Sequence, residues 1–277
     1  MDVRPSPIAG QWYPADAAEL AAGVDRALDA AGPVASGAAV VAVVAPHAGH
    51  VYSGGVAGHA FAAVRGLAPE LVAVVGPMHV PARGALLTSA HEAYATPLGP
   101  VPLDAAARAA LDAALAAEGA AGLTPVRDDD EHSVEIELPF LQRALVGAWR
   151  LLPVMVRDAR RPVALALGRA LARALANRRA LLVASTDLSH YHPQAAARRL
   201  DAELLRRLEA FDADAVLRAD EEGAAEACGV GALAAVLWAA RALGADRVRV
   251  LRYATSGDVT GDYRSVVGYA AAVATRP

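Results

Sequence analysis

Histidine, cysteine and carboxylate side chains gather at one kind of place in this chain. His47 follows the Val-rich apolar run Ala38 to Ala45, in Pro46-His47-Ala48-Gly49. His79 follows Leu71 to Val75, in Gly76-Pro77-Met78-His79, and His190 follows Ala180 to Ala184, in Ser185-Thr186-Asp187-Leu188-Ser189-His190. Continuous apolar runs of this length predict strands buried on both faces. In open α/β sheets, ligands bind beyond the carboxyl ends of the strands. Three histidines at that edge therefore predict a shared site, although one such histidine alone is more often structural. Imidazoles held on rigid strand ends suit zinc, iron or copper.

Cys228 precedes Gly229 at the head of the most apolar predicted helix. A helix N-terminus favours a thiolate, the form that binds metal or attacks carbon. The alternative is a small buried hydrophobe. Asp187 and His190 are three residues apart, a spacing that lets them share a face as an acid/base pair or as a residue and its orienter. The run Asp128-Asp129-Asp130 reads as acidic complement to a helix dipole. That leaves Glu131, His132 and Glu135 unexplained. His59 reads as a helix-surface or packing residue, and His50 also has a stronger structural reading.

The elements that would position these groups alternate along the chain. Asp16 caps a helix running to about Ala30, stopped by Gly32-Pro33. A helix from about Ser53 to Val64, capped by Ser53, separates the first two strands. Pro81 to Pro102 reads as loop with a short strand or two. Helices are predicted over Asp104 to Ala117 and Val134 to Leu145, with Pro139 as a kink or early-turn residue. A strand over Leu151 to Val156 precedes helices over Pro162 to Ala176, Ala195 to Leu208, Ala213 to Ala219 and Gly229 to Leu243. Arg247 to Tyr253 and Ser265 to Val273 read as closing strands, the first with one wet face. This alternation predicts a three-layer α/β/α architecture with a mostly parallel or mixed central sheet, in one domain spanning 1–277.

Composition removes several function classes. The chain has 277 residues, 55% of them hydrophobic, and a net charge of -4, with no basic stripe for a nucleic-acid backbone. Every basic residue is arginine. Without lysine there is neither a Schiff-base amine nor a Walker A lysine. One cysteine excludes an internal disulfide and fits a reducing compartment. There is no signal-peptide pattern, and no apolar stretch reaches the ~20 residues of a membrane span, so a cytoplasmic protein is expected.

Taken in chain order, these blocks resemble the Memo family, whose prokaryotic members are called AmmeMemoRadiSam system protein B. The resemblance rests on Ala9-Gly10-Gln11-Trp12-Tyr13-Pro14, Pro46-His47-Ala48-Gly49, Gly76-Pro77-Met78-His79 and Thr96-Pro97-Leu98-Gly99. It continues through Glu131-His132-Ser133-Val134-Glu135, Leu138-Pro139-Phe140, Ser185 to Tyr191 and Cys228-Gly229, so it covers nearly the whole chain. It implies a fold similar to the class III extradiol dioxygenases. It also implies a metal site of His47, His79 and Cys228, with Asp187 and His190 as the further polar pair. It further implies that Tyr52, Glu131 and His132 belong to the same pocket. Fe(II) is the expected metal, with Cu or Zn as alternatives, and the activity implied is a redox, dioxygenase-like reaction on a small molecule. A ligand- or peptide-binding module working with a radical-SAM and an AMMECR-type partner is the second expectation. A Cys228–His190–Asp187 hydrolase is the third. The chain departs from the family pattern at His50, Met78 and Thr186, and His192 is an extra imidazole.

Overall fold

The computed structural model describes residues 1–32 and 39–277. Pro33 and Ala38, which figured in the predicted boundaries, lie outside the described residues. A nine-stranded sheet runs through the chain. Its order is His190–His192, Val266–Arg276, Ala39–Ala45, Ala180–Ser185, Leu71–Pro77, Arg150–Val156, Leu86–Ser89 and Thr124–Val126; Arg247–Thr255 also pairs with Val266–Arg276. Ala39–Ala45, Ala180–Ser185, Leu71–Pro77 and Arg150–Val156 are mutually parallel, and antiparallel strands flank them on both sides. A separate three-stranded sheet joins Val3–Arg4, Ala93–Tyr94 and Val101–Pro102.

The apolar runs are continuous because each strand feeds two cores. Leu71, Ala73 and Val75 pack on one face, with the helices Ala105–Ala117, Arg161–Leu175, Gln194–Glu209, Ala213–Glu221 and Val230–Ala242. Val72 and Val74 pack on the other, with Ala17–Ala31, His50–Ala62 and Leu138–Ala144. Side chains alternate across a strand, so a strand between two layers must be apolar at every position. Val230–Ala242 touches both the Arg161–Leu175 helix and the sheet, which is why it is apolar nearly all round. The three-layer α/β/α expectation holds.

Several boundaries differ from the sequence expectation. Asp16 does cap Ala17–Ala31, accepting from the Glu19 N–H at 2.8 Å. The next helix, however, starts at His50, and Ser53 sits inside it, donating to the Ala48 carbonyl at 2.8 Å. Its N-cap is Gly49, which has no side chain to bond the first turn. Val134 to Leu145 splits into a 3-10 turn, Glu135–Glu137, and the helix Leu138–Ala144 with Pro139 in its first turn. Val266–Arg276 is an interior strand, and Arg247–Thr255 takes the outer position with its partly wet face.

Candidate functional site

Ala45 is in register with Ser185, and Val75 with Ala184, so three adjacent parallel strands end at one level. The residues just beyond these ends therefore meet. His47 is 2% exposed. Its backbone N–H donates to Asp187 Oδ1 at 2.8 Å, its Nδ1 lies 2.9 Å from Ser185 Oγ, and its Nε2 faces Cys228 Sγ at 3.1 Å. His79 is open to the pocket but tethered: its backbone N–H and its Nδ1, the latter at 2.9 Å, both meet the Glu131 carboxylate. His132 stacks on His79, with ring centroids 4.6 Å apart and planes 13° apart. Both rings stand edge-on to His47, at 5.1 and 5.3 Å.

One ligand-capable atom from each of His47, His79 and His132 lies within 4.8 Å of the other two. Among the described residues this is the group that could hold a metal ion. The third donor that geometry brings to His47 and His79 is thus His132. Cys228, expected in that place, lies beside His47 and outside the triple. Burial pushes His47 well below the usual histidine range and His132 down to about 4. Both rings are therefore neutral at neutral pH, the form that donates to a metal. Burial alone would raise Glu131, but hydrogen bonding and charge from His79 outweigh it and hold the carboxylate at about 2. A carboxylate that orients a histidine through Nδ1 is the usual support of a metal-ligating imidazole.

The segment carrying His132 is anchored from beneath. Ser133 Oγ donates to the Pro77 carbonyl at 2.7 Å. It sits where a Cβ on Gly76 would meet it at 2.6 Å, so only glycine lets the segment descend onto the strand end. Arg4, 1% exposed, donates to Glu135 at 2.5 Å, to Asp129 at 2.8 Å and to the Glu131 carbonyl at 2.7 Å. The acidic run is therefore more than a dipole complement: Asp129 and Glu135 pair with a buried guanidinium. Tyr13 also donates to Glu135, at 2.8 Å.

The opposite wall corrects two expectations. Asp187 does not orient His190. It accepts from the backbone N–H groups of His47 and Ala48, and burial raises it to about 7. The carboxylate beside His190 is Glu226, which accepts the His190 backbone N–H at 3.0 Å, lies 3.8 Å from His190 Nδ1 and pairs with His192 Nε2 at 2.7 Å. A Cys228–His190–Asp187 hydrolytic arrangement is accordingly not assembled. Nor does the helix N-terminus win at Cys228: burial and the neighbouring Asp187 push its thiol up rather than down. Glu226 was missed in the sequence because it sits in an unremarkable acidic stretch. His50, half-buried and away from this cavity's lining, bonds the Ile136 carbonyl at 3.2 Å; His59 is a half-buried helix residue.

These groups line a cavity of about 940 Å³ that also takes in Trp12, Tyr52, Tyr191 and Tyr269. His47, His79, His132, Asp187, His190 and Cys228 all border it, and Glu131 stands behind. Tyr52 and Tyr191 are 44% and 76% exposed at its rim. No helix among the described residues is long and apolar enough to cross a membrane.

Comparison with known proteins gives the family. The profile of the Memo-like protein family matches residues 4–273. A MEMO1 family protein of Methanopyrus kandleri is 35% identical over 289 residues, covering 99% of each chain. Another, from Nitrosopumilus maritimus, is 33% identical over 97% of this chain and 98% of its own. A third, from Methanothermobacter thermautotrophicus, is 35% identical over 97% of this chain and 99% of its own. With a family profile matching residues 4–273 and relatives alike along nearly its whole length, the chain belongs to the Memo family.

Proposed function

We propose that the protein is a metal-dependent redox enzyme of dioxygenase-like type acting on a small molecule in the 940 Å³ cavity. The observation that carries this is the histidine triple, two of whose Nδ1 atoms are already engaged by Ser185 and Glu131. That leaves ring nitrogens free to donate, and the donor set fits iron(II), copper or zinc. His47, His79 and His132 would hold the ion, with Cys228 as a further donor beside His47. Bound iron(II) would supply open positions for substrate and O₂, and copper is the alternative, favoured by the sulfur. His190, backed by Glu226, would move a substrate proton, and burial, partly opposed by Glu226, lowers it toward the neutral base. The aromatic side chains Trp12, Tyr52, Tyr191 and Tyr269 would hold the substrate's apolar part.

The second reading is a binding module working with a radical-SAM and an AMMECR-type partner. The exposed Tyr52 and Tyr191 at the rim favour it, as does Val51, 69% exposed on the same side. The lining carries Asp187, Glu226 and Asp262 but no arginine, so the cavity itself offers no guanidinium clamp for an anionic peptide. Metal analysis of untagged protein purified without oxygen separates the readings. Near-stoichiometric iron or copper, lost in His132→Ala and in His79→Ala, supports the enzyme. Failure to take up any of the three metals on titration sinks it and leaves the binding module.

A further inference from the structure

We propose that Ser185, held in place by Glu137, is a positioning residue that keeps the proton of His47 on Nδ1 and turns a bare Nε2 toward the pocket. Its consequence for metal binding rests on the ligand role proposed for His47, but the proton placement itself does not.

Ser185 Oγ is fully buried and has three polar neighbours: the Ser133 carbonyl at 2.6 Å, Glu137 Oε1 at 2.8 Å and His47 Nδ1 at 2.9 Å. A hydroxyl has one proton to give. The Ser133 carbonyl can only accept. If Ser185 gave its proton to His47, two oxygens 2.6 Å apart would face each other with no proton between them. The proton therefore goes to an oxygen, and His47 must be the donor to Ser185. All three contacts are satisfied at once in one way: Ser185 donates to Ser133 and accepts from both His47 Nδ1–H and the acid proton of Glu137.

Glu137 suits that part. It is 1% exposed, and its Oε2 has no hydrogen-bond partner among the described residues. An unpartnered oxygen costs far less on a neutral acid than on a buried carboxylate. The buried cation Arg4 is committed to Asp129 and Glu135. Burial and the like charge of Asp187 both favour the neutral acid at Glu137. The chain of contacts then runs consistently outward. Cys228 is placed to give its thiol proton to the His47 Nε2 lone pair at 3.1 Å, and a metal ion would take that same lone pair.

The test is ring ¹⁵N NMR of metal-stripped protein labelled at histidine, with His47 assigned by its loss in His47→Asn. Wild type is expected to show His47 protonated on Nδ1 and bare on Nε2. Ser185→Ala is expected to shift the Nδ1–H to Nε2–H ratio by about tenfold toward Nε2–H, the loss of one buried hydrogen bond. Unchanged His59 and His91 signals would show that the variant is folded. Glu137→Gln is expected to keep the wild-type tautomer, because an amide N–H donates where the acid O–H did, whereas Glu137→Met loosens Ser185 and mixes the tautomers. A wild-type His47 protonated on Nε2 overturns the proposal whatever the variants do. An unchanged ratio in folded Ser185→Ala removes Ser185's role, and an unchanged ratio in Glu137→Met removes Glu137's. Because no metal is present, a failure of the metal reading leaves these outcomes intact.

Discussion

His47 and His190 both come after a buried parallel strand, yet the two sides of the pocket are built differently. His47 comes two residues after Ala45 and is held at backbone, Nδ1 and Nε2, with a second layer of Glu137 and Ser133 behind it. His190 comes five residues after Ser185, on a short strand that joins the sheet by an irregular pairing with Val266 and Val267. It is half-buried, its carboxylate neighbour is itself part-exposed, and the next residue, Tyr191, has φ of 60°. One side is held from three directions, as a metal ligand needs, and the other is partly open to solvent, as a proton carrier or substrate contact needs. Residue type was the same at the two positions; what differed was the distance from the strand end and what lay behind.

The comparison can be broken from either side. The largest effect is expected at the rigid wall: His47→Ala should abolish near-stoichiometric metal binding, read by metal analysis after anaerobic purification. It should also cost about 1–3 kcal/mol of stability, because the Ser185 network is left unpaired. His79→Ala should lose metal with less destabilisation, since its ring is open to the pocket. If either variant keeps full occupancy, the rigid wall is not the metal wall. Next in size, His190→Ala should lower turnover of a substrate, once found, by about 10²-fold or more while metal content stays at the wild-type level. Loss of metal in that variant would erase the distinction between the walls.

Smaller effects sharpen the picture. Glu131→Gln should weaken metal affinity by about 10–100-fold, the usual consequence of removing a carboxylate that orients a ligating histidine. Titration of metal into the stripped protein measures it. Asp187 gives a pH signature. Its folded value is raised to about 7 from 3.8, so between those values the folded chain holds a proton that the unfolded chain has released. Stability of the metal-free protein should therefore fall as pH rises from about 4 to about 7 and level off above, and Asp187→Asn should flatten that slope in denaturant titrations. An unchanged slope would mean the carboxylate is better solvated than its burial suggests. The smallest effect is at Tyr191. Tyr191→Gly removes the left-handed strain and should change stability by only about 1 kcal/mol, in the favourable direction.

Much of the fold was legible because its cause is local. Within the parallel strands, residues 39–45, 71–75, 151–156 and 180–184 are apolar at successive positions, as a doubly covered strand requires. Asp16 and Asp104 announced helix starts that the structure keeps, each accepting from a backbone N–H three residues on. The helix beginning at His50 was placed too late, because Ser53 looks like a cap from sequence and is instead a buried hydroxyl bonded backward within the first turn.

The residues of the site were divided in the same way. Sequence pattern alone predicted that His47, His79 and His190 share one edge, since strand ends in one parallel sheet lie side by side. The family resemblance, and not the spacing, added Glu131, His132 and Cys228 to that expectation. Only the tertiary structure decided their partners. His132 joins His47 and His79, Glu131 clamps His79 across 52 residues of chain, and Glu226 rather than Asp187 stands by His190 across 36. Those pairings depend on how loops descend onto the sheet edge, through the space over Gly76 and the buried charge of Arg4. Periodicity records which face a residue takes on its own element, but carries no information about which loop will meet it there.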